Sequence, residues 1–471
     1  MIRLPDGPHS SAQAEFGLRL LVDASRVVPA AASVTDVTVL EIGGDRAFDV
    51  MQGGDPFETA PGSVRIPRNV LEQLAGLASA TAEQRSAQRD RFGRVPSAVN
   101  PFVIAGTERL PVLSELASIF RTAVIRAAGD RPFRAVAPWP NGHRWAAVLS
   151  HDLDVVAGWP TFTALRLLEL LRKGELGRMM RVIGAAAAAG LDPVTAGVAS
   201  LLDTETALGV RSSWFILAGT PTLRTWQQGD LTYRPESDRA RGILGRIRDG
   251  GHELGLHGSF MTMDRPAAFA EQRDRLAALI GEAPMGARQH FLRMRPMATQ
   301  REMARAGFRY DSTFGFADRN GFRLGLADVV PMPDHADLDL LPFCWMDRAL
   351  SKYQGVEDPA AWVEDGLELA HACERVGGVW CGIWHPNLVP ALGFPGGVEA
   401  YRALVEGLRA SDDPWIAPAA EVVEWRRARR SAQVVQVGSG GVVTALGHQT
   451  PNPLWLEDAH GVVRERVGVV A

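Results

Sequence analysis

The chain has 471 residues, which is long enough for two or three domains. Of these residues 46% are apolar and 22% charged, a composition typical of a globular protein. A net charge of −4 over this length argues against a nucleic-acid-binding protein, because that affinity comes largely from clustered Lys and Arg. The basic run at 426–430 is expected to end a helix as a solvated turn. Cys344, Cys373 and Cys381 form no Cys-x-x-Cys pair, so we predict neither a disulfide framework nor a zinc ribbon. Residues 1–11 contain no apolar export segment, and with the cysteine usage this predicts a cytoplasmic protein.

The predicted elements fall into three regions. Residues 1–138 alternate helical stretches with a strand at 37–42, which indicates a small N-terminal α/β domain of unknown role. Residues 139–430 alternate strand-like and helical runs, which predicts a mostly parallel sheet or a barrel. Within them, residues 162–190 carry too many charges for a membrane span and predict an amphipathic helix pair. Residues 431–471 predict a C-terminal β tail that begins with a hairpin.

The first strand of the middle region ends in two carboxylates. Residues 146–149 are continuously apolar and predict a buried strand, which Asp152 and Asp154 follow. Side chains two apart on a strand point the same way, so these carboxylates are expected to lie about 6 to 7 Å apart. Two like charges in one pocket need a cation or a shared proton. The alternative is a solvated turn in which Asp154 caps the next helix.

Three further strand ends carry ionisable side chains. His257 closes a strand within GHELGLHGSF, Arg288 and His290 share a strand face within GARQHFLR, and His385 follows the strand in VWCGIWHPN. Taken singly, a histidine is more often a structural hydrogen-bonding group, and an arginine is as often paired with a surface acid. The carboxyl ends of parallel strands meet at one edge, so the coincidence of four such ends predicts one shared site.

Carboxylates and imidazoles are the usual ligands of Zn²⁺ and its first-row neighbours. Such an ion lowers the pKa of water and polarises a carbonyl oxygen. A second carboxylate can then accept a proton from the attacking water, and an imidazole can protonate the leaving group. The residues therefore predict hydrolysis of an amide or an ester.

Over residues 145–430 these motifs resemble the polysaccharide deacetylase family, of the NodB-homology or carbohydrate esterase 4 type, in a divergent branch with an extra N-terminal domain. LSHDLD stands at the family's T-F-D-D position, GHELGLHGS at its G-H-E-[IL]-G-x-H-[ST] motif, RQHF near its Arg-x-Pro motif and IWHP at its late histidine. The resemblance implies an α/β fold with a deformed (β/α) barrel, a bound divalent metal and removal of acetyl groups from sugars. It also implies roles for five residues: Asp152 as general base, Arg288 as the group that orients it, His385 as general acid, and Asp154 and His257 as metal ligands.

The sequence departs from the family pattern at two places. The adjacent Asp-Asp of the family is Asp-x-Asp here, and the family's second metal histidine is replaced by Met261. Thioether sulfur is a poor ligand for a hard or borderline cation. We therefore expect the third ligand to be His290, with His151 and then His252 as the alternatives.

The sequence thus favours a metal-dependent deacetylase that acts on an N-acetylated sugar or polysaccharide precursor, with zinc as the first choice of metal and cobalt or nickel as alternatives. Two other functions stay open: a catalytically silent carbohydrate-binding or scaffold protein on the same barrel, and a hydrolase of a non-peptide C–N bond in a small molecule. Trp159 and Trp384 lie near strand ends and are expected to contact substrate, because an apolar ring face can stack on a sugar.

Overall fold

The computed structural model describes residues 1–5, 11–30, 37–131, 135–156, 159–188, 192–431, 433–437, 443–446, 455–458, 463–466 and 468–470.

The N-terminal region contains a four-stranded sheet in the order β1-β2-β4-β3, in which only β3 and β4 pair antiparallel. Its elements are β1 (Ile2–Arg3), α1 (Ala12–Ala24), β2 (Thr38–Ile42), β3 (Glu58–Ala60), β4 (Ser63–Ile66), α2 (Arg68–Ala78), α3 (Thr81–Arg85), α4 (Pro101–Ala105), α5 (Val112–Ala128) and β5 (Ala135–Val136). Helix α1 crosses α2 so closely that a Cβ at Gly17 would lie 2.1 Å from the carbonyl oxygen of Leu71. Glycine at this position is what permits the two helices to pack.

The middle region is built on one large sheet with helices between the strands. Its elements are β6 (Trp145–Leu153), α6 (Trp159–Arg172), α7 (Leu176–Ala188), α8 (Pro193–Leu208), β7 (Ser213–Leu217), α9 (Leu223–Gln227), α10 (Asp238–Asp249), β8 (Glu253–Gly258), α11 (Ala267–Ile280), β9 (Gly286–Gln289), α12 (Ala298–Arg305), β10 (Tyr310–Asp311), β11 (Val330–Met332), β12 (His335–Leu340), β13 (Trp345–Met346), α13 (Pro359–Val376), β14 (Val379–Ile383), α14 (Gly397–Ala410), β15 (Pro414–Ile416) and α15 (Ala419–Ser431).

The strand order of the large sheet is β11-β12-β10-β9-β8-β7-β6-β14-β13, and every pair is parallel except β11 with β12. Strand β15 also pairs with β6, along Trp145–Ala147, while β7 pairs with the other half of the same edge, along Ser150–Leu153. All nine residues of β6 are buried. The predicted α/β fold with a parallel, barrel-like sheet is therefore confirmed. The expected strand around Arg288 is shorter than predicted, because the chain turns into a helical turn at His290–Leu292.

The C-terminal residues form β16 (Gln433–Val437), β17 (Val443–Leu446), β18 (Trp455–Glu457), β19 (Val463–Arg466) and β20 (Gly468–Val470). Strands β16 and β17 pair antiparallel, as the predicted hairpin requires. Strand β18 pairs with β19 and also with β5. The domain limits at 138 and 430 stay a prediction.

The basic run at 426–430 is not the solvated turn that we expected. Arg426 and Arg429 are 1% and 5% exposed and lie 3.2 and 3.3 Å from a carboxylate oxygen of Asp23 on α1. Arg426 also pairs with Asp328 at 2.6 Å. Buried guanidinium groups need such partners, so these arginines join α15 to the N-terminal region.

The predicted pair of amphipathic helices corresponds to α6 and α7. In the described parts of the chain, no single helix combines the length and the apolar composition of a membrane span. Helices α7 and α8 have the length and apolar composition of a span only when their residues are combined, and their axes differ in direction by 83°.

Candidate active site

Strand β6 and strand β9 place the predicted base and its orienting cation in contact. Arg288 Nη1 donates to Asp152 Oδ1 at 2.7 Å, and its other nitrogens donate to the Ser312 carbonyl at 3.0 Å and to Ser150 Oγ at 2.9 Å. Arg288 is fully buried, so the alternative of a pairing with a surface acid does not apply. Burial alone would raise the pKa of Asp152, but the charges of Arg288 and His257 outweigh it and lower the pKa. Asp152 is therefore a carboxylate at neutral pH.

Three candidate ligand atoms converge beside this pair. One atom each from Asp154, His257 and His290 lies within 4.8 Å of the other two. His257 Nε2 is 3.3 Å and His290 Nε2 is 3.7 Å from Asp154 Oδ1. These are the separations that we expect between ligands of a common ion. The first-choice third ligand, His290, is thus the one that the structure brings to the cluster.

The second ring nitrogen of each histidine is held by an acceptor. His257 Nδ1 lies 2.9 Å from the carbonyl oxygen of Arg288, and His290 Nδ1 lies 2.9 Å from Asp230 Oδ1. Because these partners only accept, each Nδ1 carries a proton, and each Nε2 is the ring nitrogen that faces Asp154 and could bind a cation.

The residues fit a divalent cation. Asp154 Oδ1 is buried, and no described donor makes a hydrogen bond to it. A buried carboxylate oxygen that accepts no hydrogen bond is costly, and two nitrogens with one oxygen form a donor set that suits zinc and its neighbours. Burial would lower the pKa of His257, yet the charges of Asp152 and Asp154 raise it, which shows that this position attracts positive charge. The structure therefore shows a site that can hold a metal; the identity of the ion is a separate question.

His385 stands opposite this cluster. Its Nε2 lies 3.7 Å from Asp154 Oδ2, and its Nδ1 and backbone N–H each lie 2.6 Å from a carboxylate oxygen of Asp347, which follows β13. Burial would lower the pKa of His385, but the Asp347 carboxylate outweighs it and raises the pKa. Asp347 thus orients the His385 ring and favours its protonated form, as a proton donor needs.

The turn that carries His290 is strained and braced from the N-terminal region. Phe291 and Leu292 have φ angles of 58° and 54°, in the left-handed region that side chains other than glycine seldom adopt. The Phe291 ring stacks on His290 at 4.1 Å and on Phe92 at 5.1 Å. Arg94 Nη1 donates to the Phe291 carbonyl at 2.9 Å.

Sequence reasoning missed four residues that contact the site: Asp230, Asp347, Phe92 and Arg94. Only Asp347 had a usable signal, because it follows a strand as the other site residues do. Asp230 lies in the connection between α9 and α10, and Phe92 and Arg94 lie between α3 and α4. No periodic pattern marks these positions.

The alternative ligands His151 and His252 lie elsewhere. His151 Nε2 lies 2.8 Å from Glu205 Oε1, and His252 Nδ1 is 3.4 Å from the other oxygen of the same carboxylate. Both histidines are buried in this separate network. Met261, at the family's ligand position, is 45% exposed. Strand alternation accounts for His151, whose neighbour Asp152 faces the candidate site.

Trp384, which the sequence predicts to contact substrate, lies in the core, and substrate contact by this residue stays a prediction. Its side chain is 3% exposed and stacks on Trp345 at 5.7 Å, with Tyr401 at 5.3 Å. The ring belongs to the core because it points away from the rim to which the next residue, His385, points. The side chain of Trp159, the other predicted substrate contact, lies outside the described residues; its backbone begins α6.

No family model and no curated protein matches the sequence. Among solved structures, a candidate polysaccharide deacetylase from Mycobacterium smegmatis matches with 21% identity and a TM-score of 0.42, over 61% of this chain and 92% of its own. The Puue allantoinase matches with 15% identity and a TM-score of 0.41, over 63% and 94%. A candidate polysaccharide deacetylase from Pseudomonas aeruginosa PAO1 matches with 16% identity and a TM-score of 0.41, over 64% and 96%. Two of these three are thus described as members of the family that the sequence motifs resemble.

Proposed function

We propose that this protein is a metal-dependent hydrolase that removes an acetyl group from an N-acetylated sugar or polysaccharide precursor, with zinc as the first candidate metal. The observation that carries the proposal is the convergence of three groups on one rim of the sheet. These groups are the ligand set of Asp154, His257 and His290, the carboxylate Asp152 and the imidazole His385. The choice of an acetylated sugar as the substrate rests on the sequence resemblance.

Water attack on the acetyl carbonyl carbon needs a proton acceptor. A divalent ion bound at Asp154, His257 and His290 would supply Lewis acidity, which lowers the pKa of water and polarises the carbonyl. Asp152 accepts the proton of the attacking water, because Arg288 keeps its carboxylate ionised and holds Oδ1 at 2.7 Å.

Departure of the amine needs a proton donor. The new bond joins the water oxygen to the carbonyl carbon, and the C–N bond breaks. His385 gives its Nε2 proton to the nitrogen, and Asp347 stabilises the imidazolium until then. The products are the free amino sugar and acetic acid, which ionises to acetate. The proton taken by Asp152 returns to solvent, and His385 takes up a proton from solvent, which restores both groups.

The test combines metal analysis with acetate release. Elemental analysis of the purified protein gives the bound metal, and acetate is then measured after incubation with N-acetylglucosamine oligomers in the presence of Zn²⁺, Co²⁺ or Ni²⁺. We expect activity with at least one ion, a loss of about 10²-fold or more in Asp152→Asn and His385→Gln, and no change in the exposed control Asp249→Asn. A protein that stays inert with all three ions would refute the proposal. Sugar binding that survives both chelation and Asp152→Asn would instead identify a binding protein.

A further inference from the structure

Helices α6 and α7 form an unusually apolar surface, which we call the hairpin face. Thirteen large apolar side chains are exposed in the described parts of the chain, and six of them lie on these two helices. The six are Leu165 (58%), Leu168 (42%), Leu171 (53%), Leu176 (55%), Met180 (61%) and Ile183 (41%). Scattered apolar residues are ordinary on a protein surface, but such a concentration marks an interaction site.

The spacing of these residues is helical on both segments. The three leucines of α6 are three residues apart, and Leu176, Met180 and Ile183 of α7 follow a four-then-three pattern. The helices attach to the body through other positions. Leu170 and Val182 are buried, and Thr163 Oγ1 donates to the Ala391 carbonyl at 3.1 Å.

Basic side chains accompany the apolar ones. The two helices and their connection carry five Arg or Lys residues and only two Glu. Arg166, Lys173 and Arg178 are paired with glutamates. Arg172 and Arg181 are exposed and have no carboxylate partner in the described part of the chain. A helix pair with exposed apolar side chains and an excess of basic ones complements a negatively charged lipid surface. The basic side chains contact the anionic headgroups, and the apolar side chains enter the membrane interface.

We propose that the hairpin face binds the surface of an anionic membrane. The binding is interfacial, with α6 and α7 lying on the membrane rather than crossing it. Helix α6 is attached to the segment that follows His385, because Thr163 on α6 donates to the Ala391 carbonyl. The proposal is independent of the deacetylase chemistry, because vesicle binding requires neither metal nor substrate.

Cosedimentation of the full-length protein with vesicles tests the proposal. One set of vesicles contains phosphatidylcholine alone, and the other contains phosphatidylcholine and phosphatidylglycerol at 3:1. We expect at least tenfold tighter binding to the anionic vesicles, and weaker binding at high salt because the attraction is screened. Vesicle binding is measured without assaying acetate release. A protein that does not bind vesicles could therefore still be a deacetylase, and a protein that releases no acetate could still bind vesicles.

Matched variants identify the surface. Leu165→Gln with Met180→Gln is expected to weaken vesicle binding at least tenfold, and Arg172→Gln with Arg181→Gln to remove the preference for anionic vesicles. The control pair Ile104→Gln with Leu223→Gln alters residues that are 73% and 74% exposed on other helices, and is expected to bind as the unaltered protein does. Circular dichroism checks that each variant folds. The proposal is overturned if the protein pellets with neither vesicle, or if sedimentation shows a dimer that the Leu165 and Met180 changes dissociate, since the face would then bind a second copy.

Discussion

Replacement of Asp230 is the sharpest test of how the third ligand is held. The Asp230 side chain is fully buried, and its Oδ1 accepts hydrogen bonds from His290 Nδ1 and from the Phe260 backbone N–H, both at 2.9 Å. Its Oδ2 has no hydrogen-bond partner in the described residues. One oxygen therefore fixes both the orientation and the tautomer of His290.

The structure gives different magnitudes for two substitutions. Asp230→Ala leaves one buried and one part-buried donor without an acceptor, which costs about 2 to 6 kcal/mol of unfolding free energy. It also frees the His290 ring, and loss of such a supporting carboxylate weakens metal binding about 10- to 100-fold, or about 1.4 to 2.7 kcal/mol. Asp230→Asn keeps an oxygen for both donors and places its NH₂ where Oδ2 now lies without a partner. We therefore expect Asp230→Asn to weaken binding by about tenfold at most.

The assay is a Zn²⁺ titration in competition with a chromophoric chelator, with urea unfolding of the metal-free protein alongside it. Asp249→Asn is the matched control, because that carboxylate is exposed and, within the described ranges, pairs only with its neighbour Arg248. A folded Asp230→Ala protein that binds Zn²⁺ as tightly as the unaltered protein would refute the assignment of His290 as a ligand. Equal losses in the Asn and Ala variants would show that charge, not orientation, is what Asp230 contributes.

Three further predictions test the parts around this ligand. Arg288→Lys is expected to lower the rate of acetate release about 100-fold while Zn²⁺ affinity stays within about threefold. The reason is that a single ammonium group cannot bind Asp152 and the neighbouring oxygens as the planar guanidinium group does. A parallel loss of metal binding would contradict this prediction. Phe92→Ala is expected to weaken Zn²⁺ binding about tenfold in the same chelator titration, since it removes the ring that braces Phe291; unchanged affinity would show that the bracing is unnecessary. Burial raises the pKa of Asp311 to about 6, above the ordinary 3.8, so Asp311 stabilises the fold below about pH 4 and this contribution, roughly 3 kcal/mol, is lost as the pH rises to about 6. Urea unfolding should therefore show a flatter pH dependence between 4 and 7 in Asp311→Asn, and identical slopes would contradict the assignment.

The site residues that could be predicted are those governed by strand geometry. Asp152 and Asp154 are two apart at the end of one strand and reach the same site, while His151 between them points to Glu205. The same alternation accounts for the position of Trp384. That residue is next to His385 in sequence, but adjacent positions face opposite sides of a sheet, and Trp345 and Tyr401 pack against the other side.

The residues that could not be predicted contact partners that are far away in the sequence. Asp230 contacts a histidine that lies 60 positions later, and it is not part of a strand. The basic run near the end of α15 was misread for a related reason. Local sequence shows charge but not the buried Asp23 on α1 that compensates it, more than 400 positions away. Patterns with a period of two or 3.6 residues describe one element, whereas these contacts depend on how separate elements pack.

The replacement of the usual ligand position by Met261 also changes what the rest of the chain must do. The two residues after His290 adopt φ angles above 50°, and each such conformation costs about 1 to 3 kcal/mol. Such a turn persists when its surroundings fix it more strongly than the strain opposes it. The Phe92 ring and the Arg94 guanidinium supply that fixation from the N-terminal region, through the stacking on Phe291 and the hydrogen bond to its carbonyl. If His290 is a ligand, its place in the turn after β9 makes the N-terminal region a support of the proposed metal site, a physical role that the sequence of this segment did not predict.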